Sequence, residues 1–300
     1  MALAVLHQLK QALTSLNPEE VRAQTRKPLR IGLIAASQES LGRMEAYFAP
    51  HTLSQERRTQ ALRTLIRIGP GYTGESCDFE IYESSLLRPA NAFSMDLDAP
   101  EDCIRRILKR REDLMLPLAA QLEPFRNPAA HKIIRAVAKE NALFCLATAL
   151  PDVIPSILSF PWALGEFSSD TAFLTINQVR MLFLLAAASD RPVGYREQRS
   201  EIASIIAGCF GWRAIARELV GKIPFGGGLI PKAGVAWAGT FAVGLSFERL
   251  YRLGYGFTRA ERKAVYEDAF DHGRQIASML LDGLRHRKIA STKNGIAAAK

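Results

Sequence analysis

The segment Gly32-Leu33-Ile34-Ala35-Ala36-Ser37-Gln38-Glu39-Ser40-Leu41-Gly42 is where phosphate chemistry would first be sought, because a turn follows a short apolar run. A working phosphate loop needs a Gly-x-x-x-x-Gly-Lys-Ser/Thr pattern. Its glycines let backbone amides face the phosphates, its lysine reaches the β and γ oxygens, and its hydroxyl holds magnesium. The lysine is absent here, and Glu39 brings the opposite charge. The segment reads as an ordinary strand-turn-helix or as a degenerate nucleotide loop, and hydrolysis from it is not expected. Gly226-Gly227-Gly228, between Lys222 and Lys232, could also cradle a phosphate, but no strand precedes it and a helix-helix turn accounts for it.

Asp268, Asp271 and His272 fall within one helical turn, where carboxylates and an imidazole can ligate a cation. His272 shares the apolar stripe of its helix and the two acids suit a wet flank, so a solvated face is the simpler reading. Cys77, Cys103, Cys145 and Cys209 are widely spaced, form no Cys-x-x-Cys pair, and read as reduced packing residues. His7, His51, His131, His272 and His286 offer no closely spaced ligand pair. No Gly-x-Ser-x-Gly elbow occurs, and no local Cys-His or paired-carboxylate arrangement stands out. The sequence therefore assigns no catalytic, cofactor-binding or metal-binding residue, and it implies no cofactor. Asn177, Gln178 and Arg180 interrupt the apolar run of Phe173, Leu174, Ile176, Val179, Met181 and Leu182. Inside a bundle such groups need hydrogen-bond partners, so a structural polar network is expected there, with a functional contact as the alternative.

These residues belong to a chain of 300 residues, 48% hydrophobic and 23% charged, which is the composition of a folded protein. Lys and Arg number 39 against 30 acids, a formal charge of +9, so an anionic partner is expected. Phospholipid headgroups supply that counter-charge as well as nucleic acid does. No nucleic-acid-binding module and no interleaving of aromatic with basic residues is present, so nucleic acid is not the expected partner. The opening MALAVLHQLKQAL lacks the basic region of a signal peptide, and a cytoplasmic start is expected.

Hydrophobic spacing predicts the elements that carry these groups. Leu3, Leu6, Leu9, Leu13 and Leu16 form the stripe of an amphipathic leader helix. Leu29–Ala36 predicts a buried strand, 39–49 and 53–68 predict helices, Asp78–Tyr82 a second strand and 92–97 a weak third. From Pro100 helical periodicity takes over. Ile104, Ile107, Leu108, Leu114, Met115 and Leu118 share a side that Arg111 interrupts, and Glu101/Arg105, Asp102/Arg106 and Lys109/Asp113 are spaced to pair on the solvated side. Further helices are predicted from Pro128 to Leu150, over 173–188 and over 201–222. In the last of these, Ile202, Ile205, Ile206, Cys209, Phe210 and Trp212 leave hardly any polar face.

The stretch Ala233–Phe247 has no charge. At 15 residues it falls short of the roughly 20 of a perpendicular span, although a transmembrane or re-entrant hairpin counted from Ile223 remains an alternative. Ala236, Thr240 and Gly244 give it a small-residue face on which another backbone can pack closely. Thr258 with Glu261 forms a capping box for a final helix with the stripe Val265, Ala269, Ile276, Met279, Leu280 and Leu284. The basic end of the chain is expected to be a disordered tail able to touch anionic lipid.

Leu150-Pro151-Asp152-Val153-Ile154-Pro155, Leu174–Met181, Ile223–Gly228 and Lys232–Gly244, taken in this order over residues 139–286, resemble one uncharacterised helical family. That family occurs C-terminal to Era-like GTPase domains and in YcjF-like bacterial inner-membrane proteins. The resemblance implies an α-helical, membrane-associated module, often partnered with a GTPase and without known catalytic residues. The expected fold is mainly α, a C-terminal helical bundle with a small, incomplete N-terminal α/β unit. The expected division is a leader helix and linker at 1–28, the α/β unit or degenerate GTPase remnant at 29–99, the helical membrane-associated domain at 100–286 and the tail at 287–300. The expected function is a noncatalytic scaffold or partner-recruiting module at the bacterial inner membrane or its cytoplasmic face. Its expected partners are the anionic membrane surface or bilayer, a GTPase, and a second copy of itself. The alternatives are a nucleotide-binding switch built on the α/β unit and a soluble cytoplasmic interaction protein.

Overall fold

Ser37 and Ser54 each begin a helix in the same way, by accepting a backbone N–H three residues on, from Ser40 (3.0 Å) and Arg57 (3.4 Å). Such local signals set the element order of the computed structural model, which describes residues 16–69, 76–148, 170–208 and 229–298. The first part runs α1 (Pro18–Thr25), β1 (Ile31–Ile34), α2 (Gln38–Phe48), α3 (Gln55–Thr64), β2 (Leu65–Arg67), β3 (Phe79–Glu83) and β4 (Phe93–Met95). Then come α4 (Glu101–Arg110), a 3-10 turn (Glu112–Leu114), α5 (Met115–Gln121), α6 (Glu123–Thr148) and α7 (Asp170–Ala188). The helical stretch 199–208 is α8, followed by α9 (Leu229–Leu253) and α10 (Arg259–Ala298). The fold is mainly α with one small parallel sheet, as the periodicity implied.

The chain divides into two units, one of Pro18–Lys132 with Phe183–Gly194, the other of Met1–Asn17, Ile133–Leu182 and Tyr195–Lys300. In the first, the strands lie in the order β2-β1-β3-β4, all parallel, with Ile31 opposite Leu65 on one side and Phe79 on the other. Ile31, Leu33 and Ile81 are fully buried between the helices. The predicted helix 53–68 ends early, at Thr64, because Leu65-Ile66-Arg67 pairs with β1 and the backbone is extended from Leu65 on. The unit does not stop at Pro100. The stripe of Cys103, Ile104, Ile107 and Leu108 is buried as α4 packs on β4, so the chain through Lys132 belongs with the sheet. Arg111, which seemed to spoil that stripe, ends α4. It forks onto Asp113 (3.0 and 2.9 Å), donates to the Asp78 carbonyl and lies 5.9 Å from the centre of the Phe79 ring. The three expected ion pairs give way to other contacts. Arg105 bonds Asp102 and Arg106 donates to the Ser94 carbonyl (2.6 Å).

The helical unit is built on α9 and α10, which lie side by side. Ala233, Ala236, Trp237, Ala238 and Ala242 from α9 pack against Tyr266, Ala269, Phe270 and Ala277 from α10, with Ala138, Ala142, Cys145 and Leu146 from α6 closing the core. A β-carbon on Gly273 would lie 2.7 Å from the Gly234 carbonyl, so these two glycines let the backbones touch. The uncharged Ala233–Phe247 stretch thus spends its apolar face inside the protein. Among the described residues no helix is long and apolar enough to cross a membrane.

Two expectations are corrected in backbone terms. The helix expected from Pro128 starts at Glu123 and continues through Pro128, which lies inside it and gives up the bond its N–H would make to the Pro124 carbonyl. The expected tail is helical to Ala298, since no proline follows Thr258 and most of the intervening residues favour helix. The leader stripe up to Leu13, the turn Pro224–Gly228, the triple glycine and Cys209 to Trp212 lie outside the described residues.

Candidate functional site

At the carboxyl end of β1 the chain turns through Ala35–Ser37 into α2. In an open parallel sheet, ligands bind in the crevice at the carboxyl ends of the strands, where the strand order reverses. With the order β2-β1-β3-β4 that crevice lies between β1 and β3, and the Ala36 N–H and the start of α2 point into it. The position is filled from within. Glu83, the last residue of β3, accepts the Ala36 N–H (2.8 Å) on one carboxylate oxygen and the Ser40 hydroxyl (3.2 Å) on the other. A carboxylate thus stands where a phosphate would, and a second anion at about 4 Å would meet a repulsion of roughly 1–4 kcal/mol. Titrating the wild type with magnesium-GTP or magnesium-ATP is therefore expected to give no saturable heat, and a stoichiometric isotherm would show that the carboxylate gives way.

Asn177 and Arg180 join one buried network across three helices. Asn141 donates to the Thr240 hydroxyl (2.7 Å), Asn177 to Asn141 (2.8 Å) and to Glu140 (3.2 Å), and Arg180 to Asn177 (2.9 Å) and Glu140. Gln178 approaches Thr240 at 3.4 Å, and Thr240 donates back to the Ala236 carbonyl (2.8 Å). The donors and acceptors satisfy one another within the bundle, which is the structural reading of these residues.

Asp268, Asp271 and His272 do not converge as ligands. The His272 ring contacts the Asp268 carbonyl at 3.4 Å, Asp271 lies 3.8 Å from Arg274, and among the described residues no group could hold a metal ion. His272 and Met279 are exposed and do not lie on the buried stripe of α10. Cys103 and Cys145 are buried and form no disulfide, and burial pushes the Cys103 thiol up to about 11.

The turn between α9 and α10 carries the feature that sequence reasoning passed over. Leu253 is 44% exposed and Tyr255 57%. Gly254, at φ +85°, makes the turn with its N–H on the Leu250 carbonyl (2.9 Å). Arg249 lies between the Tyr255 and Phe257 rings, 5.0 and 4.8 Å from their centres, and pairs with Glu261 (2.8 Å). The Thr258–Glu261 capping box forms as expected, at 2.8 and 3.2 Å. The Thr258 N–H, Arg249 and the Thr258 hydroxyl together hold the Glu261 carboxyl at about 2. Of the bases in 248–263, Arg249 pairs with Glu261, Arg252 with Glu248 (2.7 Å) and Lys263 with Glu267 (3.9 Å), while the exposed Arg259 and Arg262 make no ion pair among the described residues. The result is a tip with two neighbouring exposed side chains, Leu253 and Tyr255, followed by the exposed Arg259 and Arg262. The signal was available in Leu-Gly-Tyr-Gly-Phe just before a capping box, since two glycines among apolar residues mark a turn that leaves Leu253 and Tyr255 exposed. Leu87, at 99% exposed, stands alone and is ordinary surface. No family model, no curated protein and no solved structure matches this chain.

Proposed function

We propose that the protein is a noncatalytic module that docks peripherally on an anionic membrane surface through the α9–α10 tip, leaving its α/β unit to recruit a protein partner. The observation that carries this reading is that exposed Leu253 and Tyr255 stand next to Arg259 and Arg262, which are exposed and make no ion pair among the described residues. Tyrosine and leucine partition into the headgroup boundary, and each basic side chain near an anionic surface contributes about 1 kcal/mol. The overall charge of +9 acts in the same direction at longer range. The resemblance to membrane-associated, GTPase-linked helical proteins supports the reading and suggests a GTPase as the partner. A nucleotide switch on the α/β unit is the second reading, favoured by the crevice between β1 and β3 and opposed by Glu83 within it.

Membrane fractionation of the full-length protein tests the attachment. The protein is expected in the membrane pellet and is expected to leave it in a high-salt wash, because Arg259 and Arg262 are screened once the Debye length falls to about 3 Å at 1 M salt. Retention through both salt and alkaline carbonate would contradict peripheral docking. So would recovery of all the protein in the soluble fraction before any wash.

A further inference from the structure

A groove of about 730 Å³ runs along the helical unit, between α6 and α10 with α9 as its floor. Trp237 and Phe241, one turn apart on α9, stack at 4.6 Å to form that floor, and Ile276 and Leu280 line one wall. The close approach at Gly234 and Gly273 brings α10 down beside Trp237, so the groove is narrow and apolar at its base. Its rim is charged in a defined way. Arg135 and Lys139, one turn apart on α6, are exposed on one side and make no ion pair among the described residues. Asp268 and His272, one turn apart on α10, face them.

We propose that this groove binds a single-chain lipid with an anionic head, its acyl chain on Trp237, Phe241, Ile276 and Leu280 and its head on Arg135 and Lys139. An apolar trough of several hundred Å³ with a few polar groups at its mouth is the usual form of a small-ligand site. Two cations spaced one turn apart select an anion, and the floor offers only the indole N–H of Trp237 to a head placed the other way round. Asp268 opposes the head from across the rim, so its removal should tighten a purely anionic ligand. A fatty-acid carboxylate and a lysophospholipid phosphate share this chemistry. The groove is separate from the α9–α10 tip, and a soluble lipid monomer tests it without any membrane surface.

The probe is dansylaminoundecanoate, titrated into the full-length protein below its micellar concentration, with its methyl ester as the uncharged control. Saturable enhancement of dansyl fluorescence is expected, with the ester bound roughly tenfold more weakly. Arg135→Glu with Lys139→Glu, both at exposed positions, should weaken the acid by about tenfold or more and leave the ester unchanged. Asp268→Ala should strengthen the acid a few-fold, and Ile276→Trp should abolish binding of both compounds. Circular dichroism confirms that each variant is folded. Competition by oleate against lysophosphatidylethanolamine distinguishes the two sources of the head, since Asp268 repels the former and can pair with the amine of the latter. Absence of saturable binding would overturn the proposal. Equal affinity for acid and ester, or binding indifferent to both the rim and the Ile276 substitutions, would overturn it equally.

Discussion

Asn177→Leu is expected to lower the unfolding free energy by about 3 kcal/mol, because it leaves the fully buried Asn141 carbonyl without a donor and unties the half-buried Glu140–Arg180 pair. Asn177 is 1% exposed and Asn141 is fully buried. The substitution leaves the Asn141 carbonyl without its donor and removes the acceptor of the Arg180 Nε–H, while the Glu140–Arg180 pair loses the amide that holds it in place. Each orphaned group costs about 1–3 kcal/mol, and the groups here act as a unit. The companion Asn141→Leu strands the second amide proton of Asn177 and one partner of Thr240. The double variant Asn141→Leu/Asn177→Leu should therefore cost less than the two single changes added together, by about 1–2 kcal/mol, since both ends of the bond are then apolar. Urea unfolding followed by circular dichroism reads all three. Strict additivity would mean that the network is not coupled.

Gly244→Ala is the second large effect, and its sign runs against helix propensity. Replacing a helical glycine by alanine ordinarily gains about 0.5–1 kcal/mol. Here the new β-carbon would lie 2.7 and 2.8 Å from the two γ carbons of Ile134 and 3.1 Å from the Met181 sulfur. Those γ carbons are branches next to the backbone and cannot swing away, so the helices must part. Overpacking of this kind costs about 1–3 kcal/mol, and a net loss of about 1–2 kcal/mol is expected from thermal or urea unfolding. Gly42→Ala in α2 is the internal control. Nothing lies within 4 Å of its added β-carbon, so that variant should gain about 0.5–1 kcal/mol. If both substitutions stabilised the protein, the close approach at Gly244 would be refuted.

The contrast between these glycines shows what periodicity conveys and what it cannot. Spacing in the sequence was enough to give a mainly helical fold, a short buried strand at Ile31 and a capping box at Thr258, because each depends on neighbours within a few residues. The small-residue face of Ala236, Thr240 and Gly244 was legible as well, and so was the need of Asn177 and Arg180 for partners. The identity of those partners was not, since Glu140 and Asn141 lie about 40 residues away and only the folding of α6 onto α7 brings them close. The strand Leu65–Arg67 escaped because three residues are too short to show a period and the preceding helix carries no stop signal. Glu83 in the β1–β3 crevice could not be read at all, because its meaning comes from the strand order. The uncharged run Ala233–Phe247 left a transmembrane or re-entrant hairpin counted from Ile223 as an alternative, whereas the folded chain buries most of that run and exposes the turn beyond it.

Flotation of the full-length protein with lipid vesicles tests the central claim most directly. The wild type should float with vesicles containing phosphatidylserine and remain at the bottom of the gradient with phosphatidylcholine alone. Leu253→Glu with Tyr255→Glu, at exposed positions and with folding checked by circular dichroism, should reduce the floated fraction at least about tenfold, since two inserting groups are replaced by charges that anionic lipid repels. Undiminished flotation of that variant, or no flotation of the wild type on anionic vesicles, would contradict docking through the tip.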